Sequence, residues 1–202
     1  RPQLERAARF RVREPWLRSG ARPGDKLAVT GVLGEAGAAL EILLRQPQLL
    51  QEPRFAELRT HMMDPTPRLA EAAVLAQMGG VHAAIDVSDG LYQDAGHIAR
   101  ESKVRLEIEV ERLPVSEVTH LAAEAMPAKA AWWTATSGEE YELLLAVDRE
   151  RLPDCARALA EAQLAPLTLI GDVLEGEGVV LVRPDGSEME LERGGWDHFR
   201  TA

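Results

Sequence analysis

Two carboxylates, Asp86 and Asp89, flank Ser88 in the stretch AAIDVSDGLYQDAGHIA at residues 83–99. An apolar run, Ala83-Ala84-Ile85, leads into them, and Gly90 and a helical pattern follow. Paired carboxylates at such a junction suit Mg²⁺, which takes a few carboxylate oxygens together with phosphate oxygens. A strand running into a helix also presents the unpaired N–H groups of the first turn and the positive end of the dipole, which favour an anion. The pair therefore reads as a Mg-nucleotide site. A plainer reading stands beside it: Ser88 or Asp89 is the N-cap of the helix. A cap needs one residue and leaves Asp86 at the strand's end without a role.

Other stretches are weaker on their own. TGVLGEAG sets Gly31, Gly34 and Gly37 between a strand and a helix. No Gly-Lys-Ser/Thr follows, so this is not a P-loop, and a tight turn and a phosphate cradle both remain open. TSGEEYELLLAV puts Glu139, Glu140 and Glu142 ahead of an apolar strand, which reads first as a solvated acidic loop. Trp196, in the terminal GGWDHF, either plugs the core or stacks on a flat heterocycle. Arg18, in LRSGARPGD, is an ordinary exposed arginine or a phosphate contact. His61, His82, His97, His120 and His198 show neither H-x-x-x-H nor H-E-x-x-H spacing, so no zinc or His-based nucleophilic site is expected.

The elements that must hold these residues follow from periodicity and punctuation. Residues 1–19 read as a basic lead-in. Pro23-Gly24-Asp25 is a turn before a short strand carrying Leu27 and Val29. The next helix is expected to bury Ala39, Leu40, Leu43 and Leu44 on one face. Helix and loop fill 46–64, DPTPR breaks the chain, and a helix ends at Gly79-Gly80. Strand 81–87 and helix 90–101 come next. Residues 104–110 alternate as a half-buried strand with Arg105, Glu107 and Glu109 outward. Ser116 caps a short helix. YELLLAVD is a strand, RERLPDCARALAEAQ a helix, and LTLIGDVLEG, GVVLVRP and EMELER are strands. Helices between strands early and neighbouring strands late predict an α+β fold with a mixed sheet covered by helices.

Bulk properties narrow the classes. The 202 residues allow one large domain or two small ones, and 46% apolar content supplies a core. A net charge of −10 argues against a general nucleic-acid surface. No run of about 18 apolar residues appears, so no membrane span is expected. Cys155 is the one cysteine, which excludes an intrachain disulfide, argues against a Cys-based zinc site and fits a reducing cytoplasm. In a helical pattern it reads as a small core residue.

The order of the stretches is more specific than any of them. RSGARPGDKLAVTGVLGEAGAAL, then Pro-Arg before a helix, IDVSDGLYQDAGHIARES, SGEEYELLLAV, IGDV and GWDHF together resemble the C-terminal part of thiamine-monophosphate kinase, from about Arg18 to Phe199. That family belongs to a group with aminoimidazole ribonucleotide synthetase and selenophosphate synthetase. The resemblance implies the C-terminal-domain fold of that superfamily over 18–202, with 1–17 as a lead-in or the remnant of another domain. It implies ATP- and Mg²⁺-dependent phosphorylation of thiamine monophosphate to thiamine diphosphate, in the cytoplasm. By position, Asp86 and Asp89 match magnesium ligands, and Ser88 and Arg18 match ATP contacts. Glu139 and Trp196 match residues on the substrate side. The family's GGED is here Ser137-Gly138-Glu139-Glu140. The resemblance also implies a preceding domain with further metal-binding aspartates and most of a homodimer contact. Without it these residues are expected to be inactive alone. Another ATP-dependent enzyme of the superfamily, or a non-catalytic ligand-binding or interaction domain, is the alternative.

Overall fold

A computed structural model describes residues 15–126 and 130–189. Trp196 and most of the basic lead-in lie outside the described residues, as does the end of the EMELER strand. The strands are β1 (Lys26–Thr30), β2 (Val81–Asp86), β3 (Arg105–Glu109), β4 (Leu143–Val147), β5 (Leu167–Leu174), β6 (Gly178–Val182) and β7 (Glu188–Met189). They form one sheet in the order β2-β4-β1-β5-β3-β6-β7. Every pairing is antiparallel except β3 with β6. The helices are α1 (Glu35–Arg45), α2 (Ala56–Met63), α3 (Leu69–Met78), α4 (Leu91–Ser102), α5 (Glu117–Ala125), α6 (Ala130–Thr136) and α7 (Leu152–Glu161). The expected α+β class with a mixed, helix-covered sheet is what forms.

The run Leu143-Leu144-Leu145-Ala146-Val147 shows why both faces need cover. Successive side chains on a strand point to opposite faces. Leu144 and Ala146 join the core that α4 builds with Ala95 and Ile98. Leu145 and Val147 join a second core with Leu75 of α3 and Cys155 and Leu159 of α7. Cys155 is fully buried there, as its position in the helical pattern predicts. On β3 the alternation also holds: Leu106 and Ile108 are buried, while Arg105, Glu107 and Glu109 are not.

A third core joins α1, α2, α5 and α6 through Ala38, Ile42, Leu58, Ala122 and Trp133. Here the sequence expectation needs correction. Helix α1 buries Glu35, Ala38, Ala39 and Ile42, while Leu40, Leu43 and Leu44 are exposed at 52%, 44% and 72%. The segment EAGAALEILLR is apolar on several faces, so its phase is set by what packs on it. Gly37 and Ala38 provide the close approach: a Cβ on Gly37 would lie 2.6 Å from Cβ of Ser137. Helix α6 is not expected from the sequence: AAWWTAT spans only two turns, too short for a periodic apolar stripe, and its Trp and Thr residues offset the high propensity of its alanines.

Candidate active site

Strand β2 lies at one edge of the sheet and carries Asp86 at its end, exposed and opposite Leu143. The N-terminal segment runs along that edge, where Ala84 N–H donates to the Leu17 carbonyl at 3.0 Å. Ser102, closing α4, ties the segment down: its hydroxyl donates to the Arg18 carbonyl and accepts N–H bonds from Gly20 and Ala21. Arg18 and Asp86 consequently line one open cleft of about 480 Å³, with Trp16 and Glu101.

The turn after Asp86 is held differently from the expected cap. Gly90 occupies the cap position at φ 120°, a conformation that favours glycine, and makes no side-chain cap bond. The work falls to Asp94, in the first turn of α4. Its Oδ2 accepts N–H bonds from Ser88, Asp89 and Gly90 at 3.0, 3.0 and 3.1 Å. Ser88 and Asp89 are thus not the cap. Those three N–H groups are also already taken by a carboxylate and are not a phosphate cradle. Burial raises the Asp94 carboxyl above its usual range and the Asp89 charge adds to the rise, against the pull of the three N–H bonds.

The turn is pressed against the segment that carries the three glutamates. Glu139 N–H donates to the Ser88 carbonyl at 2.9 Å, and Tyr141 N–H to the Val87 carbonyl at 2.9 Å. Gly138 permits this contact, since a Cβ there would stand 2.4 Å from the Ser88 carbonyl oxygen. Glu139 at φ 60° and Tyr141 at φ 54° are left-handed, an arrangement that costs energy for non-glycine residues. Ser88, Asp89 and Glu139, more than 45 positions apart in sequence at their extremes, so share one surface. Glu139 is exposed on it.

The other two glutamates are not solvated. Glu142 is 1% exposed and accepts from Arg68 Nε at 2.7 Å, Arg68 Nη2 at 2.5 Å and the Thr30 hydroxyl at 2.6 Å. Burial raises its carboxyl, and the arginine and threonine oppose the rise. Burial would lower Arg68, but the bonds and charges of Glu142, with Glu71 and Glu35, outweigh it and hold Arg68 above its ordinary value. Gly31 makes room for this pair, because a Cβ on it would lie 2.1 Å from Glu142 Oε1. Gly34 would likewise press a Cβ on Thr134 at 3.0 Å. The glycines after β1 serve close packing against protein, and the tight-turn reading of them is the one the structure favours.

Asp89, Asp94 and His97 each bring a ligand atom to within 4.8 Å of the others; Asp86 is not one of the three. Asp94 Oδ2 already accepts three N–H bonds, and His97 Nδ1 stands 2.7 Å from Arg100 Nη2. The hard oxygen donors here, exposed Asp86 and half-buried Asp89, fit a magnesium ion in their chemistry.

The fold and this surface define the class. Residues 22–183 match the family described as AIR synthase related protein, C-terminal domain, and the chain belongs to it. Within that class it is similar to curated thiamine-monophosphate kinases. The Escherichia coli K12 enzyme is 34% identical over 189 residues, 91% of this chain and 55% of that protein. The Pyrococcus abyssi enzyme is 37% identical over 184 residues, 91% of this chain and 53% of that protein. A solved structure of AaThiL complexed with AMPPCP and TMP superimposes with a TM-score of 0.76 at 35% identity, over 90% of this chain and 53% of that one. The chain spans about half the length of the curated relatives it matches. No helix among the described residues is long and apolar enough to cross a membrane.

Proposed function

We propose that this chain carries the C-terminal part of the active site of a cytoplasmic kinase that transfers a phosphoryl group from ATP to thiamine monophosphate. One observation carries the reading. The Glu139 N–H bond to the Ser88 carbonyl sets the residues matched to ATP and metal beside the residue matched to substrate. The names of the relatives and the AMPPCP and TMP complex of AaThiL support it.

In this reading Asp86 and Asp89 hold Mg²⁺, which supplies charge neutralisation at the phosphates. Arg18 reaches the phosphates from the cleft it shares with Asp86, as a guanidinium suited to phosphate oxygens. The Ser88 hydroxyl adds an uncharged contact. Glu139, exposed on a backbone fixed in the left-handed region, orients the acceptor, and Trp196 packs on its thiamine rings. A phosphate oxygen of the acceptor attacks the γ-phosphorus, and ADP leaves with the electrons of the broken bond. The acceptor is a phosphate monoester whose second ionisation lies near pH 6, at about the level of a phosphoserine, so no general base is needed. Positioning and charge do the catalysis. The family's preceding domain supplies the other carboxylates and the contact for a homodimer.

Calorimetric titration of the full-length protein with AMPPCP tests the nucleotide half of this reading. Binding is expected to tighten with Mg²⁺, and Asp89→Asn to remove about tenfold or more of that gain, the scale on which perturbing a metal site acts. Equal AMPPCP affinity with and without Mg²⁺ would count against the reading.

A further inference from the structure

Glu140, Glu35 and His61 meet in a buried pocket behind the Glu139 surface. His61 Nδ1 lies 3.4 Å from Glu35 Oε2, and Nε2 lies 3.6 Å from Glu140 Oε2. His61 Nε2 and Glu140 Oε2 are buried and make no hydrogen bond. Glu140 is 2% exposed. Its other oxygen accepts from the Ser137 hydroxyl at 2.6 Å.

A neutral imidazole has one N–H and one lone pair. Here each ring nitrogen faces a carboxylate. With both carboxylates ionised and the ring neutral, a lone pair meets a buried negative charge. One further proton removes the conflict, either as an imidazolium that donates both ways or as a carboxylic acid that donates to the ring. Water does not reach His61 Nε2 or Glu140 Oε2, so the uncompensated arrangement is costly.

We propose that Glu35, His61 and Glu140 share a proton that locks the Glu139 loop in place, with His61 as its positioning residue. The coupling is covalent and short. Glu140 points inward between Glu139 and Tyr141, whose N–H groups make the bonds to Ser88 and Val87. Helix α1 enters through Glu35 and helix α2 through His61. The Glu35 charge also acts on the Arg68 guanidinium, which the bonds and charge of Glu142, with Glu71 and Glu35, hold above its ordinary value against burial. Burial, with the Glu35 charge adding to it, pushes the Glu140 carboxyl up to about 8 against the Ser137 hydroxyl and the N–H groups of Gly34 and Ala36. The sign follows. Between the ordinary value of 4.5 and about 8 the Glu140 carboxyl keeps in the folded chain a proton that it gives up in the unfolded one. Its contribution is therefore full at the acid end and is lost as pH rises through that window. The contacts stand on geometry alone; only the loop's role toward substrate rests on the kinase reading.

Amide hydrogen exchange of the full-length protein, corrected for intrinsic rates, reads the loop without reference to any substrate. Protection of the Glu139 and Tyr141 amides is expected to fall by about tenfold or more between about pH 6 and about pH 9, while β4 amides hold level. Glu140→Gln keeps both contacts without a titrating proton, because its amide donates to His61 and its carbonyl accepts from Ser137. It is expected to make loop protection high and independent of pH. His61→Ala is expected to lower it at every pH. If that variant does not fold, the wild-type series and Glu140→Gln decide. Protection in the wild type that stays level across the range, or a fall that persists unchanged in Glu140→Gln, would overturn the proposal.

Discussion

Asp86→Asn in the full-length protein is expected to lower phosphoryl transfer to thiamine monophosphate by about 100-fold or more, with the fold intact. Asp86 is exposed at the end of β2, and its backbone pairs opposite Leu143. The substitution keeps that pairing and the side-chain shape and removes one charge. Its effect is therefore confined to what the charge holds. Removing one preorganised group that stabilises developing charge costs about 10²–10³ in kcat. Asp86 is proposed as a metal ligand, so part of the loss should return at raised Mg²⁺ or with Mn²⁺. Steady-state kinetics at several metal concentrations, with circular dichroism as the control for folding, gives the answer. Activity within about twofold of the wild type would remove Asp86 from the metal site.

The second large effect concerns stability. Arg68→Met is expected to destabilise the protein by about 3–5 kcal/mol, the cost of leaving a buried charge without its partner. Glu142 is nearly inaccessible, and Arg68 supplies two of the three side-chain donors that face it. The Thr30 hydroxyl cannot offset a full negative charge, and Glu71 would lose its cation as well, at 3.7 Å. Replacing the carboxylate too, as Arg68→Met with Glu142→Gln, should recover much of the loss, since the amide keeps an acceptor for Thr30. Urea denaturation of the single and double variants measures this. Equal losses in the two would show that the missing packing of Arg68, not the orphaned charge, sets the cost.

Both effects arise where long-range partners decide, and these were the parts least legible in the sequence. The β3 alternation, the burial of Cys155, and the strand and helix flanking Asp86 follow from local pattern. So do the α+β class and the family, the latter from motif order. The phase of α1 does not, because Ala39, Leu40, Ile42, Leu43 and Leu44 permit several apolar faces and only the packing of α2, α5 and α6 selects one. The acidic loop is harder still. Glu140 and Glu142 read as solvated, since their partners Glu35, His61, Thr30 and Arg68 come from segments more than 70 positions upstream. Asp94 lay in plain view within QDAGH, yet a single acid in a first helical turn does not announce that it will accept three N–H bonds from the preceding turn. What motif order did convey was proximity. The Ser88 turn and the Glu139 loop, assigned to one site by resemblance, are hydrogen-bonded to each other in the fold.

The surface formed by the Ser88 turn and the Glu139 loop is proposed to belong to a kinase whose acceptor is thiamine monophosphate. Phosphorus NMR of the full-length protein with ATP, Mg²⁺ and thiamine monophosphate tests it most directly. Thiamine diphosphate resonances are expected to grow in step with ADP, and not to appear when Mg²⁺ is withheld. ATP left intact under these conditions, or consumed without a diphosphate ester of thiamine appearing, would contradict it.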